Sequence, residues 1–422
     1  MRNTDYFRNK KITIAGLARS GLACANLLYG LGAEVSVSDS LENDLTQGNA
    51  AKLQSKKIKL ELGRHTQGFF QNRDLVVVSP GVPKDALPLV WARQFNIPVI
   101  SEIEVGWILC PGTIIAVTGS NGKTTVTTLI GRILEAAGKK VFICGNVGNP
   151  FCGELEKIEA GDFVSLEVSS FQLETINKFK PKIALILNFS ANHLDRYKDM
   201  REYLEAKKRI FMNQDKDDYL LLDQSGPLLS GLAGETRARV VYFSAQTGLN
   251  PDQAAVLAVG SILGIDKELC LDVFRGFKGI EHRLEQVREI NNIKFINDSK
   301  ATTAEATLWA LKNISSPVVL IAGGRDKGLD YRLILDEARK KVKAAILIGE
   351  AKEKLKETFK KSLSVEEAGS LEEAVGLAFK KAKPGDCVLL SPMCSSFDMF
   401  SDYEERGRRF KAAVYELARD KT

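Results

Sequence analysis

The residues best suited to chemistry form a short loop, Gly119-Ser120-Asn121-Gly122-Lys123-Thr124-Thr125. It follows the apolar run Ile114 to Val117 and precedes a helical pattern that begins near Val126. Glycines let backbone N–H groups converge on phosphate oxygens, and the N-terminus of the following helix adds its dipole. In such a loop the lysine reaches the β- and γ-phosphates, and the threonine hydroxyl can ligate Mg²⁺. We therefore predict that this loop binds ATP.

A second glycine-containing turn, Gly16-Leu17-Ala18-Arg19-Ser20-Gly21, lies between the apolar run Ile12 to Ala15 and a helical pattern. It resembles a dinucleotide-binding turn in which alanine replaces the middle glycine, and Asp39 follows at the end of the next strand. Three interpretations remain open from the residues alone. The turn could bind a nicotinamide dinucleotide, a substrate that carries a nucleoside diphosphate, or no ligand.

Other polar groups follow the strands that come after the phosphate loop. Glu167 ends an apolar run, where a carboxylate close to a phosphate loop can hold Mg²⁺ directly or through water. His193 and Asp195 follow the run Ile183 to Leu187. Lys207 lies in a helical pattern among other basic residues, and its spacing alone favours a solvated lysine.

The C-terminal third contains further polar clusters at the ends of apolar runs. Open α/β sheets bind ligands at the carboxyl ends of their strands, so each cluster is a candidate ligand-binding loop. These clusters are His282-Arg283, Asn297-Asp298-Ser299-Lys300-Ala301-Thr302, Gly323-Gly324-Arg325-Asp326-Lys327-Gly328 and Ser391 to Asp398.

The elements that must position these loops are short β-branched runs alternating with longer helical patterns, which predicts doubly wound α/β sheets with parallel strands. The alternation begins three times along the 422 residues. We therefore expect a Rossmann-like N-terminal domain, a central phosphate-loop ATPase-like domain with a mostly parallel sheet, and a Rossmann-like C-terminal domain. The predicted domains span 1–100, 101–279 and 280–422.

Composition narrows the class of protein. The net charge is +6, but the sequence contains no cluster of basic residues interleaved with aromatic residues. This argues against a nucleic-acid partner. No apolar run approaches the roughly 20 residues that span a bilayer, so we expect no membrane association and a cytoplasmic location. The seven scattered cysteines are expected to be buried free thiols.

Taken together, these motifs resemble the Mur ligase family over nearly the whole chain. The general family features are Gly119 to Thr125, Glu167-Val168-Ser169-Ser170-Phe171-Gln172-Leu173 and His193-Leu194-Asp195-Arg196-Tyr197. Asn297 to Thr302 and Ser391 to Asp398 resemble the branch that adds D-glutamate. The resemblance implies an ATP-dependent ligase that joins D-glutamate to UDP-N-acetylmuramoyl-L-alanine through an acyl phosphate, in peptidoglycan precursor synthesis.

The resemblance also implies a role for individual residues. Thr124 and Glu167 would hold one Mg²⁺, and His193 with a Lys207 carbamylated by CO₂ would hold a second. Lys123, Glu167, His193 and Lys207 would form the catalytic group. Beyond the phosphate loop, ATP would contact Asn250, Gln253, Arg283, Asp298 and Lys300. The UDP-muramoyl substrate would contact Gly16, Arg19, Ser20, Asp39, Ser40, Asn146, Ser169, Gln172 and His193, and D-glutamate would contact Thr302, Lys327, Ser396 and Tyr403.

One motif departs from the family pattern. The stretch Leu249-Asn250-Pro251-Asp252-Gln253 stands where the family has His-Asn-x-x-Asn, so we expect an altered adenine contact. We also expect the protein to be a monomer. The alternatives to a D-glutamate-adding ligase are another Mur-type ligase, a folylpolyglutamate-type ligase, or a phosphate-loop NTPase with a nucleotide-sensing domain. The Gly16 to Asp39 region argues against the folylpolyglutamate type, which lacks the first nucleotide domain.

Overall fold

A computed structural model of the chain describes residues 3–190, 196–245, 248–277, 279–326 and 328–417. The chain forms two compact units, Met1–Phe277 and Lys278–Thr422. The first unit contains two β-sheets and the second contains one. None of the helices in the described ranges is long and apolar enough to cross a membrane.

The first sheet of the first unit is wholly parallel, with strand order β3-β2-β1-β4-β5. Its central strands are buried on both faces, which explains the continuous β-branched runs Ile12–Ile14 and Val76–Val78. Its elements are β1 Lys11–Ala15, α1 Arg19–Gly30, β2 Glu34–Ser38, α2 Asp44–Ala50, β3 Lys59–Glu61, β4 Leu75–Val78, α3 Leu87–Gln94, β5 Val99–Ser101 and α4 Glu102–Leu109.

The second sheet of the first unit is also parallel, with strand order β11-β10-β9-β6-β8-β7. Strand β6 lies between β9 and β8, so the loops that follow these three strands meet at one edge. The elements are β6 Thr113–Thr118, α5 Lys123–Ala136, β7 Val141–Gly145, α6 Phe151–Glu154, β8 Phe163–Glu167, α7 Ser170–Leu173, β9 Ile183–Ile186, α8 Met200–Lys208, β10 Tyr219–Asp223, α9 Pro227–Ser230, β11 Arg239–Phe243, α10 Pro251–Ile262 and α11 Lys267–Gly276.

The sheet of the second unit has strand order β12-β13-β17-β14-β15-β16. Five of its strands are parallel, and β12 pairs antiparallel with β13 at one edge. The elements are β12 Glu285–Ile290, β13 Ile293–Asn297, α12 Ala304–Asn313, β14 Val318–Gly323, α13 Leu335–Lys341, β15 Val342–Ile348, α14 Lys352–Phe359, β16 Ser364–Glu367, α15 Leu371–Lys381, β17 Cys387–Leu390 and α16 Tyr403–Glu416.

The predicted α/β class with three sheet-based domains is confirmed, and two local predictions need correction. The third sheet is not wholly parallel, because Asn291 and Asn292 adopt positive φ angles and close a two-residue hairpin between β12 and β13. Helix α5 begins at Lys123, three residues before the predicted start. The seven cysteines are buried free thiols, as expected.

Candidate functional site

The phosphate loop connects β6 to α5 at the carboxyl edge of the second sheet. Gly122 has a φ of +78° and serves as the N-cap of α5, so the chain turns directly from the loop into the helix. A Cβ atom at Gly122 would lie 2.5 Å from Oδ1 of Asp252 on α10. Only glycine therefore fits this turn without displacing Asp252. Burial raises the pKa of the Asp252 carboxyl to about 6.

Two lysines converge on the first residues of this loop. The Nζ of Lys123 donates to the carbonyl oxygens of Gly119 and Ser120 at 3.0 and 3.1 Å. The Nζ of Lys207 donates to the same Gly119 carbonyl at 2.9 Å, and only 1% of Lys207 is exposed. Burial and the neighbouring Lys123 charge hold the pKa of Lys207 well below its usual value. The expectation of a solvated lysine from helical spacing alone is therefore wrong.

Glu167 ends β8 beside the loop, and 2% of it is exposed. The Nδ2 of Asn146 donates to its Oε1 at 2.8 Å. The Oε2 is buried and has no hydrogen-bond partner among the described residues. A buried carboxylate oxygen left unpaired is costly unless a cation or water satisfies it. Thr124 is buried in the first turn of α5. Its hydroxyl and the Glu167 carboxylate are oxygen donors of the kind that Mg²⁺ prefers.

The loop after β9 supports the phosphate loop from one side. Asn188 Oδ1 accepts from the Asn121 backbone N–H at 2.8 Å, and the Ser120 hydroxyl exchanges hydrogen bonds with the Ser190 backbone. The Tyr203 hydroxyl lies 3.5 Å from the Ser120 Oγ. The predicted residues His193 and Asp195 lie outside the described residues.

The altered motif before α10 has a structural role. The side chains of Asn250 and Gln253 cap the helix reciprocally, each accepting a hydrogen bond from the other's backbone N–H, at 2.9 Å for Asn250 Oδ1 and 3.1 Å for Gln253 Oε1. Pro251 occupies the first turn. Both side-chain oxygens are therefore engaged in the cap, and their predicted contact with adenine stays a prediction.

The second glycine turn joins β1 to α1 in the first sheet. Asp39 closes it, because its Oδ2 accepts from the Leu17 N–H at 2.6 Å and its Oδ1 from the Leu41 N–H at 2.8 Å. A Cβ at Gly21 would lie 1.9 Å from the Gly16 carbonyl oxygen, so the helix can approach the turn only with glycine there.

Five further residues predicted to contact the substrate are distributed over both halves of the first unit. The Arg19 guanidinium donates to the Gly148 carbonyl at 2.7 Å, which ties the first turn to the loop that carries Asn146. Ser169 caps α7 together with Gln172, and the Gln172 Oε1 accepts from the Ser169 N–H at 2.9 Å. Ser20 is partly buried at the start of α1, and Ser40 is exposed after β2.

In the second unit, Asp298 lies at the carboxyl end of β13. Its Oδ2 accepts from the Ser391 hydroxyl at 2.8 Å and its Oδ1 from the Leu284 N–H at 3.2 Å. Burial raises the pKa of Asp298 to about 7, opposed by these hydrogen bonds and by the positive charge of Arg283. The Nζ of Lys300 lies 5.8 Å from the centre of the Tyr403 ring. Three of the strand-end clusters predicted from the sequence therefore contribute to one polar region.

Other predicted residues of this region are Thr302 and Ser396. Thr302 is partly buried and its N–H donates to the Lys300 carbonyl at 2.9 Å, whereas Ser396 is 2% exposed. Lys327 lies outside the described residues. His282 is buried and accepts from the Asn297 amide at 2.8 Å, within a group of side chains that also contains Glu285.

Arg406, a fully buried arginine on α16, was not among the residues predicted from the sequence. Its guanidinium donates to the Ser299 hydroxyl and carbonyl at 2.9 and 2.8 Å and to the Cys394 carbonyl at 3.2 Å. It therefore joins two of the predicted ligand-binding loops. These partners are far from Arg406 in sequence or lie in irregular loops, so no local pattern indicated the contact.

The fold and this site define an α/β enzyme built around a phosphate-binding loop. Family models match three successive parts of the chain: the Mur ligase MurD-like N-terminal domain at residues 10–101, the Mur ligase middle domain at 117–260, and the Mur ligase glutamate ligase domain at 282–394.

Full-length relatives agree with these matches. The chain is 39% identical over 451 aligned positions to the UDP-N-acetylmuramoylalanine–D-glutamate ligase of Thermoanaerobacter pseudethanolicus, covering 98% of this chain and 99% of the relative. It is 40% identical over 448 positions to the Geotalea daltonii ligase of the same name, covering 97% and 98%. The chain therefore belongs to the Mur ligase family, whose members are ATP-dependent ligases that form carbon–nitrogen bonds.

A solved structure supports the fold independently. The UDP-N-acetylmuramate–alanine ligase MurC of Thermotoga maritima matches 97% of this chain and 100% of its own, with a TM-score of 0.60 and 19% sequence identity. At that identity the match establishes the shared fold and nothing finer.

Proposed function

We propose that this protein joins D-glutamate to UDP-N-acetylmuramoyl-L-alanine, consuming ATP and releasing ADP and phosphate. The observation that carries the proposal is a phosphate loop with Lys123, Lys207 and Glu167 placed around it, in a chain that is 39% and 40% identical to two D-glutamate ligases over nearly its full length. The proposed domains are 1–100 for the UDP substrate, 101–279 for ATP and 280–422 for the amino acid.

The first step transfers a phosphoryl group. A carboxylate oxygen of the muramoyl-alanine substrate attacks the γ-phosphorus of ATP, the bond to the β–γ bridging oxygen breaks, and ADP leaves. Lys123, held at the loop carbonyls of Gly119 and Ser120, would move its ammonium onto the β- and γ-phosphates and offset their negative charge. The helix N-terminus that begins at Lys123 adds to this stabilisation.

Glu167 and Thr124 would hold one Mg²⁺, and His193 with Lys207 would hold a second. Bound there, the metal ions would supply charge neutralisation for the transferring phosphoryl group. A protonated lysine has no lone pair for a metal. The lowered pKa of Lys207 favours a neutral amine, which can add to CO₂ and lose a proton to give an anionic carbamate. The proposed carbamate would provide an oxygen ligand at this position.

The second step forms the amide bond. The D-glutamate amine attacks the carbonyl carbon of the acyl phosphate, phosphate leaves, and the amine gives up a proton. Thr302, Lys327, Ser396 and Tyr403 are proposed to bind the amino acid, while Arg283, Asp298 and Lys300 bind ATP. Holding both reactants in one orientation would provide much of the rate enhancement.

The UDP-muramoyl substrate is proposed to bind the turn at Gly16 with Arg19, Ser20, Asp39 and Ser40, and to extend toward Asn146, Ser169 and Gln172. The contact between Arg19 and the Gly148 carbonyl supports this path, because it brings the first turn beside the Asn146 loop. A monomer in the cytoplasm, without nucleic-acid or membrane partners, completes the proposal.

Phosphate release measured with ATP, Mg²⁺ and UDP-N-acetylmuramoyl-L-alanine against a panel of amino acids tests the function. Release that requires D-glutamate is expected. Release with L-alanine, L-lysine or a diamino acid in its place would indicate another ligase of the family. Release without any amino acid would instead support an NTPase that regulates a partner.

A further inference from the structure

A group of four charged side chains joins the two sheets of the first unit. It consists of Lys84, which follows β4, and of Glu174, Arg196 and Glu202. The last three lie in the half of the unit that contains the second sheet, called the second-sheet half below. The Arg196 guanidinium donates to the carbonyl oxygens of Pro80 and Val82 at 2.9 and 3.1 Å. Both carbonyls belong to the loop that follows β4 of the first sheet.

The same guanidinium is held from the second-sheet half. It donates to Glu174 Oε2 at 3.1 Å and lies 4.0 Å from the centre of the Phe171 ring. Lys84 completes the group, 2.9 Å from Glu202 and 3.7 Å from Glu174. The side chains of Arg196 and Glu174 are 17% and 7% exposed, so this ion pair is poorly screened by solvent.

The loop that Arg196 holds is in contact with the proposed UDP-substrate turn. Within it, Ser79 donates from its hydroxyl to the Gly16 carbonyl at 3.0 Å, and its N–H donates to Ala15 at 2.9 Å. A displacement of this loop would therefore reach Gly16 directly, because Ser79 is 5% exposed and packs against the turn.

Within the second-sheet half, Arg196 is connected to the phosphate loop through its neighbour Tyr197. Its chain neighbour Tyr197 packs against Tyr203 with ring centres 5.1 Å apart, and the Tyr203 hydroxyl lies 3.5 Å from Ser120. Arg196 is also three residues from His193 in the sequence. A continuous series of side-chain and backbone contacts thus connects the Gly16 turn with the phosphate loop.

We propose that Arg196 is a positioning residue that holds the UDP-substrate loop in register with the phosphate loop. The proposal rests on the proposed function, since it assigns the two loops to the two substrates. A guanidinium is needed because it donates to two carbonyls and one carboxylate in fixed directions, which a lysine ammonium cannot reproduce in the same geometry.

The test compares Arg196→Ala and Arg196→Lys with the matched control Arg209→Ala. Arg209 is also half-buried and donates to the carbonyls of Leu173 and Ile176, but these contacts stay within the second-sheet half. Hydrogen exchange of the full-length protein without substrates is measured in peptides that span residues 76–86. We expect exchange about tenfold faster in Arg196→Ala, equivalent to about 1.4 kcal/mol of lost protection, and near the wild-type rate in Arg209→Ala.

Kinetics provide the second measurement. Arg196→Ala is expected to raise the KM for the UDP substrate about tenfold while the KM for ATP changes less than about twofold, with Arg196→Lys in between. Equal changes in both KM values, or equal exchange in the two alanine variants, would reduce Arg196 to a general stabilising residue and overturn the proposal. If the wild-type enzyme does not require D-glutamate, the proposed function fails, yet the exchange measurement still decides whether Arg196 holds the loop.

Discussion

Replacing Gly122 with alanine should damage the phosphate loop through two separable effects. The first is backbone strain, because Gly122 has a φ of +78°, and a left-handed conformation costs a residue with a Cβ about 1–2 kcal/mol. The second is a collision, because the new Cβ would lie 2.5 Å from Asp252 Oδ1, where ordinary contacts begin at 3.4 Å. Relieving such overpacking typically costs a further ~1–3 kcal/mol.

The two effects can be separated with Asp252→Ala, which removes the colliding carboxylate and leaves the backbone strain. We expect Gly122→Ala to lower the free energy of unfolding by about 2–5 kcal/mol, the sum of the two costs. Gly122→Ala combined with Asp252→Ala should lose only about 1–2 kcal/mol relative to Asp252→Ala alone. Urea denaturation of the four proteins measures this cycle.

Activity should follow the same order. A displaced loop misplaces the phosphates, and a shift of about 1 Å can cost about 10²-fold in rate. Gly122→Ala should therefore lose more ATP-dependent turnover than the double variant. Equal stability losses in the presence and absence of Asp252, or a Gly122→Ala protein with wild-type stability and KM for ATP, would refute the reasoning.

Variants at three other positions test separate residues of the proposed site. Lys207→Met should abolish turnover yet raise Tm, because it removes a buried amine whose charged form is disfavoured; a lower Tm would contradict this. Asn250→Ala should cost about 1 kcal/mol by removing the cap of α10, while Asn250→Ser should retain most of it, as urea denaturation would reveal. For Asp298, the folded pKa of about 7 lies above the ordinary 3.8, so its contribution to stability is present below pH 3.8 and is lost as pH rises through 7. Asp298→Asn should flatten this pH dependence in denaturation experiments, and an unchanged slope would contradict it.

Local features of the site were predictable because neighbouring residues determine them. The phosphate loop combines an apolar strand, glycines and Lys-Thr within one short segment, and Glu167 ends a strand that the apolar pattern reveals. The capping box of Asn250 and Gln253 was also readable, since the two residues are three apart and Pro251 follows the cap. The family resemblance instead implied a contact of these two residues with ATP.

The burial of Lys207 could not be predicted in the same way. Lys207 lies beside Lys208 in the last turn of α8, so its residue type and helical spacing do not distinguish it. Its packing against Tyr203 and its hydrogen bond to the Gly119 carbonyl do. The contacts of Arg196 and Arg406 could not be predicted for the same reason. Val82, a partner of Arg196, and Ser299, a partner of Arg406, each lie more than a hundred positions away in the sequence. Such contacts depend on tertiary structure, so the pattern of residues in a single sequence does not predict them.

The central claim is that the chain forms an amide bond to D-glutamate at the expense of ATP. The most direct test incubates the protein with ATP, Mg²⁺, UDP-N-acetylmuramoyl-L-alanine and isotopically labelled D-glutamate, then identifies the products by mass spectrometry. We predict a UDP-linked product that contains the label, formed in a one-to-one ratio with phosphate. Phosphate formed without the labelled product, or label incorporated equally well from L-glutamate, would contradict the account.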